Sequence, residues 1–269
     1  MKKINTLVDY QKDIRNKKIF VVVMQILIFV SFIVIWQLLA DLKLIDTFLV
    51  SSPLQIGELL IYYFSNNLII HHISTSVIET SLGLIIGTTL GFISATIIYL
   101  FPLLNKILEP YLILLNSLPK TALAPIIIIW MGTNIKGIIA VAVSLSLIIS
   151  IISFLSYFNN VDKNLIKMMK ALKANKLQVL FKIIYPSNIM NIISVIKVNI
   201  GMTWVGVIVG EFLVSREGIG YLLLYGGQVF KLDLVMMGIF ILAIIALIMY
   251  LIVNIIEKII YKKINKKHQ

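Results

Sequence analysis

The sequence predicts an all-α, polytopic membrane protein with six transmembrane helices. Hydrophobic residues make up 59% of the 269 and charged residues only 13%, which is more apolar surface than a soluble domain can bury. The apolar residues fall in runs long enough to cross the membrane, about 20 helical residues for about 30 Å of hydrocarbon. The formal net charge of +12 is concentrated at the ends of those runs: six Lys/Arg lie in residues 1–18, six in 163–182 and five in 258–267. Basic clusters of this kind mark cytoplasmic loops through the positive-inside rule, so the charge calls for a lipid bilayer and not for nucleic acid.

Residues 1–18 read as a cytoplasmic basic N-terminus and 19–40 as the first transmembrane helix. That apolar run is longer than a signal-peptide core and lacks a small-x-small cleavage site, so it is expected to remain as an anchor. Residues 41–76 carry Asp41, Asp46 and Glu58 against one basic residue, Lys43, which suits an outer loop. Within it, Ser52-Pro53-Leu54-Gln55 combines an N-cap serine, a proline at the first helical position and a glutamine three residues on. A short interfacial helix is expected there.

The remaining core, 77–257, is read as five spans. The second, 77–101, repeats Gly83, Gly87, Gly91 and Ala95 at every fourth position, the stripe that allows two helices to approach closely. Residues 102–110 read as a short connection. The third span, 111–131, contains Pro119 and Pro125, each expected to remove a backbone hydrogen bond and kink the helix. Broken backbone at membrane depth is tolerated where it is covered by protein or lines a cavity, so this span is a candidate pathway wall. The fourth span covers 135–158. The fifth, 187–214, carries Gly206 and Gly210 as a second close-packing pair. A glycine-rich outer segment, 215–233, leads to the sixth span, 234–257, and residues 258–269 form a cytoplasmic basic tail. Both termini then face the cytoplasm.

Between the fourth and fifth spans, 163–186 is the one long polar interruption. Lys163, Lys167, Lys170 and Lys173 recur every three or four residues, with Leu165, Met168, Met169 and Leu172 opposite. The spacing predicts one basic amphipathic helix ending near Pro186, on the cytoplasmic side and suited to a partner protein. Lys120, Glu79, Lys197 and Glu211 fall within or at the edges of spans, where a charge must face the bundle interior, a cavity or an opposite charge. Lys120, beside the Pro119 break, could attract an anionic substrate or pair structurally with a glutamate. Trp130 and Trp204 read as interfacial or packing aromatics.

There are no cysteines, and the three histidines, His71, His72 and His268, are not spaced as a metal set, so no metal or other cofactor is expected. The sequence contains no His-Glu-x-x-His, Gly-x-Ser-x-Gly or P-loop pattern, which excludes those catalytic classes and ATP hydrolysis through a P-loop of its own.

Three stretches carry a resemblance: Leu49–Leu60 (LVSSPLQIGELL), Asn116–Gly132 (NSLPKTALAPIIIIWMG) and Trp204–Val235 (WVGVIVGEFLVSREGIGYLLLYGGQVFKLDLV). Together with the lysine helix, over about 76–250, the chain resembles the membrane subunit of bacterial ABC importers of the nitrate/sulfonate/taurine permease family. That family's cytoplasmic loop runs Glu-Ala-Ala, then a glycine, then a proline thirteen residues later. Pro186 matches the proline and Ala174 the small residue after the glycine, whereas Lys173 occupies the glycine position and Lys167, Met168 and Met169 the Glu-Ala-Ala positions.

The resemblance implies a type I ABC importer permease fold in the bacterial cell membrane. It further implies two ATPase subunits that hydrolyse ATP, a second permease copy as a homodimer partner, and an extracellular solute-binding protein. It places the ATPase contact at Lys167, Met168, Met169, Ala171, Leu172, Lys173, Ala174 and Pro186. The pathway candidates are Pro119, Lys120, Pro125, Glu79 and Glu211. The implied solute is a small anion of the nitrate/sulfonate/taurine type, or alternatively a thiamine-precursor pyrimidine or riboflavin-like molecule. A stand-alone channel or secondary transporter is the reading of a different class, suggested by the kinked third span and the membrane charges.

Overall fold

The computed structural model describes residues 7–265, with side chains over 13–264. Parts of the expected basic N-terminus (1–6) and tail (266–269, with His268) lie outside the described residues. Among the described residues the regular structure is entirely helical. Five helices are long and apolar enough to cross a membrane, and a bent pair, counted as one span, makes six.

Helix α1 (Leu7–Asp41) begins well before the expected apolar start. Its polar first turns are supported by an i,i+4 ion pair between Asp13 and Lys17 at 2.7 Å. Helix α2 (Pro53–Ser65) starts as its sequence dictates: Ser52 Oγ accepts the Gln55 N–H at 3.3 Å and Pro53 occupies the first turn. The Leu54 N–H donates to Gln37 Oε1 at 3.1 Å, which ties α2 to α1. Helix α3 (Leu68–Leu100) has 33 residues, about 50 Å of helix. It therefore extends past the span expected at 77–101 and carries His71 and His72 on its first turns.

Residues 102–110 are helical, not a connection: α4 runs Pro102–Ser117. Pro102 stands in the first turn, where an N–H is not needed, and Pro110 lies inside the helix. The break comes at Leu118, which is extended (φ −68°, ψ 142°) ahead of Pro119, as the residue before a proline tends to be. A 3₁₀ turn, Lys120–Leu123, then leads into α5 (Ala124–Met131), bent by 89° from α4. Pro125 sits in the first turn of α5, so it starts a helix where a second kink was expected.

Helix α6 (Ile135–Asn159) is capped by Asn134, whose Oδ1 accepts the Lys136 N–H at 2.9 Å. The predicted single helix over 163–186 is broken. Helix α7 covers only Lys163–Ala171, with Asp162 as its N-cap. It ends where Lys173 takes a left-handed conformation (φ 58°), with Lys173 N–H bonded to Lys170 O and Ala174 N–H to Met169 O. These two bonds make a Schellman stop, which normally uses glycine. The chain restarts through an Asn175/Gln178 capping box into Lys176–Val179. A π-turn, Leu180–Ile184, and the short segment Tyr185–Ser187 follow. Pro186 lies within that last segment, so the chain breaks after it, at Asn188, before α8 (Ile189–Val214). The glycine-rich segment expected at 215–233 contains α9 (Ile219–Gln228), and α10 (Leu232–Asn265) completes the bundle.

Helices α3, α6 and α8 form the centre. A Cβ added at Gly83 would lie 2.8 Å from Ala142 Cβ, at Gly87 2.0 Å from Ser146 Oγ, and at Gly91 2.2 Å from Ser150 Cβ. On α8, a Cβ at Gly206 would meet Ala142 Cα at 2.5 Å and one at Gly210 would meet Ile138 Cα at 3.1 Å. Both glycine rows thus let α3 and α8 press against α6, where close packing substitutes for the hydrophobic drive that lipid does not provide. Asn199 stitches the same three helices by donating to Thr88 Oγ1 (2.9 Å) and Ser150 Oγ (2.6 Å). One apolar cluster, at the α9 end, gathers Trp36, Ile56, Ile69, Trp204, Ile219 and Met237. A second, at the α7 end, gathers Phe154, Phe158, Val179, Leu180 and Ile184. Lys197, on α8, reaches α10, where it meets Glu257 Oε2 at 2.5 Å and Asn254 Oδ1 at 3.0 Å.

Candidate functional site

At one end of the bundle, α7 divides its apolar residues between two jobs. Ile166 and Met169 pack against the cluster of Phe154, Phe158 and Leu180. Leu165, Met168 and Leu172 face outward, with Met168 51% and Leu172 72% exposed. Lys167, Ala171 and Lys173 are exposed as well, and Ala174 is half-buried. Beyond the Lys173 turn, Leu177 and Phe181 extend the exposed apolar surface. A cavity of about 280 Å³ lies beneath, lined by Tyr99, Asn105, Asn159, Lys170 and Lys176 among others. Pro186 is exposed at the far edge of this segment. The sequence pattern located this surface, but Met169 belongs to its inner side.

The α4–α5 break brings Pro119 and Lys120 together, with Pro125 starting the next helix. Lys120 Nζ donates to Asn116 O (3.0 Å) and Asn116 Oδ1 (3.1 Å). The cation thus caps the last turn of α4, where helical carbonyls have lost their partners. Among the described residues, its ion pair with a glutamate is not formed. Trp130 is 78% exposed on α5, whereas Trp204 is 3% exposed in the core.

At the opposite end of the bundle, one face of α3 holds the turn between α8 and α9. His71 Nε2 lies 2.9 Å from Glu217 Oε2. Gly218 N–H donates to His72 Nδ1 at 3.0 Å. Ser76 Oγ accepts the Ile219 N–H at 2.8 Å and donates to Glu211 Oε1 at 2.5 Å. Gly220 N–H donates to Glu211 Oε2 at 2.5 Å. Gly218 has φ 99°, and a Cβ there would stand 2.3 Å from the Glu211 carboxyl carbon, so both backbone and space demand glycine. Glu79 lies one turn from Ser76 and beside Glu211, with the two side chains 2% and 0% exposed. Glu79 also lines a cavity of about 670 Å³ with Thr75, Thr133, Asn134, Arg216 and Glu217.

The structure thus joins Glu79 to Glu211 and keeps Lys120 apart from both. His72, Ser76, Gly218 and Gly220 were not singled out from the sequence as parts of a site. The i,i+4 spacing of His72 and Ser76 and the Gly-x-Gly after a membrane glutamate were the available signals.

A bundle of long apolar helices with a proline-broken span, a polar α3/α8 end and an exposed amphipathic α7 defines a multi-pass membrane protein. Residues 87–266 match the family described as binding-protein-dependent transport system inner membrane component, and the chain belongs to it. It is 25% identical over 218 residues to a probable ABC transporter permease protein of Haemophilus influenzae, covering 81% of this chain and 88% of the relative. It is 25% identical over 227 residues (84% and 82%) to a putative aliphatic sulfonates transport permease of Bacillus subtilis. Over 195 residues (72% and 77%) it is 25% identical to a formylaminopyrimidine transport permease of Halalkalibacterium halodurans. The protein is an ABC importer permease of the inner membrane.

Proposed function

We propose that this permease forms the translocation pathway for a small solute and is driven by two separate ATPase subunits that grip α7. A second copy of the chain completes the pathway, a solute-binding protein delivers solute at the α9 end, and both termini lie with α7 on the cytoplasmic side. The observation that carries the coupling is the exposed row of Leu165, Met168 and Leu172 on a lysine-rich helix. Switching a gate from 1:99 to 99:1 takes about 5.5 kcal/mol of differential binding. An exposed ion pair contributes about 0–1 kcal/mol, so Lys167 and Lys173 alone are insufficient. The apolar row supplies the larger share, and methionine suits an adaptable docking surface.

The test is co-purification with an ATPase subunit. Met168→Asp and Leu172→Asp should abolish it while leaving the permease folded, because both side chains are exposed. Met169→Asp should instead destabilise the chain, since Met169 packs inward. Full recovery of the complex with the two outer variants would remove this reading.

For the solute we propose a small anion of the sulfonate type. Lys120 at the α4–α5 break and the sulfonate permease relative support it. Pro119, Lys120, Pro125, Glu79 and Glu211 are the pathway residues in this proposal. The pyrimidine permease relative, at the same 25% identity, supports a thiamine-precursor solute as the second reading. Uptake into proteoliposomes containing permease, ATPase and the binding protein separates the two. Flux through the chain alone, without ATP, would favour a channel, which the 89° break invites.

A further inference from the structure

Every polar side chain that lines the cavity beneath α7 can donate a hydrogen bond. Tyr99 comes from the end of α3, Asn105 from α4, Asn159 from the end of α6, Lys170 from α7 and Lys176 from the segment after it. Among the described residues no carboxylate lines this cavity. Glu109, on the next turn of α4, lines the neighbouring cleft between α4 and α6 instead. Asp162 is committed to capping α7, where its Oδ1 accepts the Asn164 N–H at 2.8 Å. The exposed lysines 163, 167, 173 and 182 add to the positive field around the cavity.

These donors are largely unused. Lys176 spends one N–H on Leu100 O at 3.2 Å and keeps two. Among the described residues, the side chains of Tyr99, Asn105, Asn159 and Lys170 make no hydrogen bond, and Lys170 has no ion pair. Two ammonium groups on the wall of one cavity repel each other, which an anion between them relieves. The rest of the wall is mostly apolar, with Leu100, Pro102, Ile166 and Val179. Just outside it, at the junction of α3 and α4, Phe101 and Leu103 are exposed apolar side chains at the ends of membrane-crossing helices. A free inorganic anion has no use for that apolar surface, whereas a lipid does. Basic pockets between transmembrane helices are suited to anionic lipid headgroups.

We propose that this cavity of about 280 Å³ binds the phosphate headgroup of an anionic phospholipid. Lys170 and Lys176 are its charge partners, Tyr99, Asn105 and Asn159 donate hydrogen bonds, and the acyl chains lie over Phe101 and Leu103. Seated there, the lipid joins the α3–α4 corner to the inner side of α7 and leaves the outward row of Leu165, Met168 and Leu172 free. The inference rests on the membrane placement of the helices and not on the coupling role of α7.

The test is the thermal unfolding midpoint of the full-length protein in a nonionic detergent, titrated with phosphatidylglycerol, phosphatidylcholine or sodium phosphate. Wild type should show a saturating rise with phosphatidylglycerol and no comparable rise with the other two at the same concentration. A lysine beside an anionic lipid surface contributes about fivefold in affinity. Lys170→Gln should therefore raise the half-saturating phosphatidylglycerol concentration about fivefold, and it removes no bond that the folded chain makes. Lys170→Gln/Lys176→Gln should raise it by at least about tenfold, and the single variant carries the test if the double one does not fold. Lys163→Gln/Lys182→Gln also removes two charges, from exposed positions outside the cavity, and should leave it within about twofold. An equal rise with phosphatidylcholine overturns the proposal, as does one with sodium phosphate, which would assign the donors to a free anion. So does a flat phosphatidylglycerol titration, a Lys170→Gln response equal to wild type, or an equal weakening in the Lys163/Lys182 variant. Because neither an ATPase nor transport enters the measurement, a failure here leaves the permease reading standing.

Discussion

Lys176 Nζ donates to the carbonyl oxygen of Leu100 at 3.2 Å, so the segment after the lysine helix is bonded to the last residue of α3. Tyr185 OH, 2.9 Å from Thr96 Oγ1, makes a second link between the same two elements. A cation at a helix C-terminus is stabilised by the unpaired carbonyls there, by about 0.3–1 kcal/mol at an exposed site. These two bonds connect the α7 segment to α3, the helix that carries Glu79 and His72 at its other end. Lys176→Met retains the apolar stem and removes the bond. The expected result is a shift in thermal stability of under about 1 kcal/mol. The expected functional effect is a fall in solute moved per ATP in reconstituted transporter. An unchanged ratio would reduce Lys176 to a simple helix cap.

The backbone at Lys173 is of the kind that favours glycine. It holds φ 58° at the Schellman turn between α7 and the next helical segment. The left-handed conformation costs a non-glycine residue about 1–2 kcal/mol. Lys173→Gly should raise stability, by about 1 kcal/mol after the loss of unfolded-state restriction is counted. Lys173→Val should lower it, since a β-branched side chain tolerates that conformation least. Chemical or thermal denaturation of the two variants in detergent checks the order.

The spans, the α2 cap at Ser52 and the glycine stripe were legible because each is a local pattern: an apolar run, a capping tetrapeptide, a four-residue repeat. The helical 102–110 was hidden because Pro102 and Pro110 read as breakers, although a proline in the first turn removes no needed bond and one mid-helix can be carried. The stop at Lys173 was hidden because its lysine spacing continues the helical pattern right through a turn fixed by backbone conformation. The Glu79–Glu211 contact and the Lys197–Glu257 pair join residues far apart in the chain. Spacing along one helix marks such groups as buried charges but does not choose their partners.

The two glycine rows should differ in how they respond to a methyl group. At Gly87 the obstacle is the Ser146 side chain, 2.0 Å from the added Cβ, whereas at Gly206 it is the Ala142 backbone, with Cα at 2.5 Å. Overpacking costs about 1–3 kcal/mol, and more of it is relieved when a side chain can turn away. Gly206→Ala should therefore lower stability more than Gly87→Ala. Combining Gly87→Ala with Ser146→Gly should restore much of the loss, while no single change at Ala142 should rescue Gly206→Ala. Unfolding midpoints of Gly87→Ala, Gly206→Ala, Gly87→Ala/Ser146→Gly and Gly206→Ala/Ala142→Gly decide this, and equal losses at both glycines would contradict it.

Lys197 and Glu257 offer a test of how a membrane charge is held. Their 2.5 Å contact bridges α8 and α10, Asn254 adds a 3.0 Å bond, and the Lys197 ammonium lies 5.3 Å from the Tyr250 ring centre. The side chains are 14% and 21% exposed, so each charge is largely desolvated. Lys197→Met leaves Glu257 without its counter-charge. Breaking a fully buried pair costs about 3–5 kcal/mol, and the residual exposure here places the expected loss at the lower end. The double variant Lys197→Met/Glu257→Gln removes both charges and should recover most of that loss, because replacing a buried pair with neutral groups is often close to neutral. Measured by thermal unfolding in nanodiscs, a double variant no more stable than Lys197→Met would mean that α8 and α10 are held by the packing of Lys197 and not by its charge.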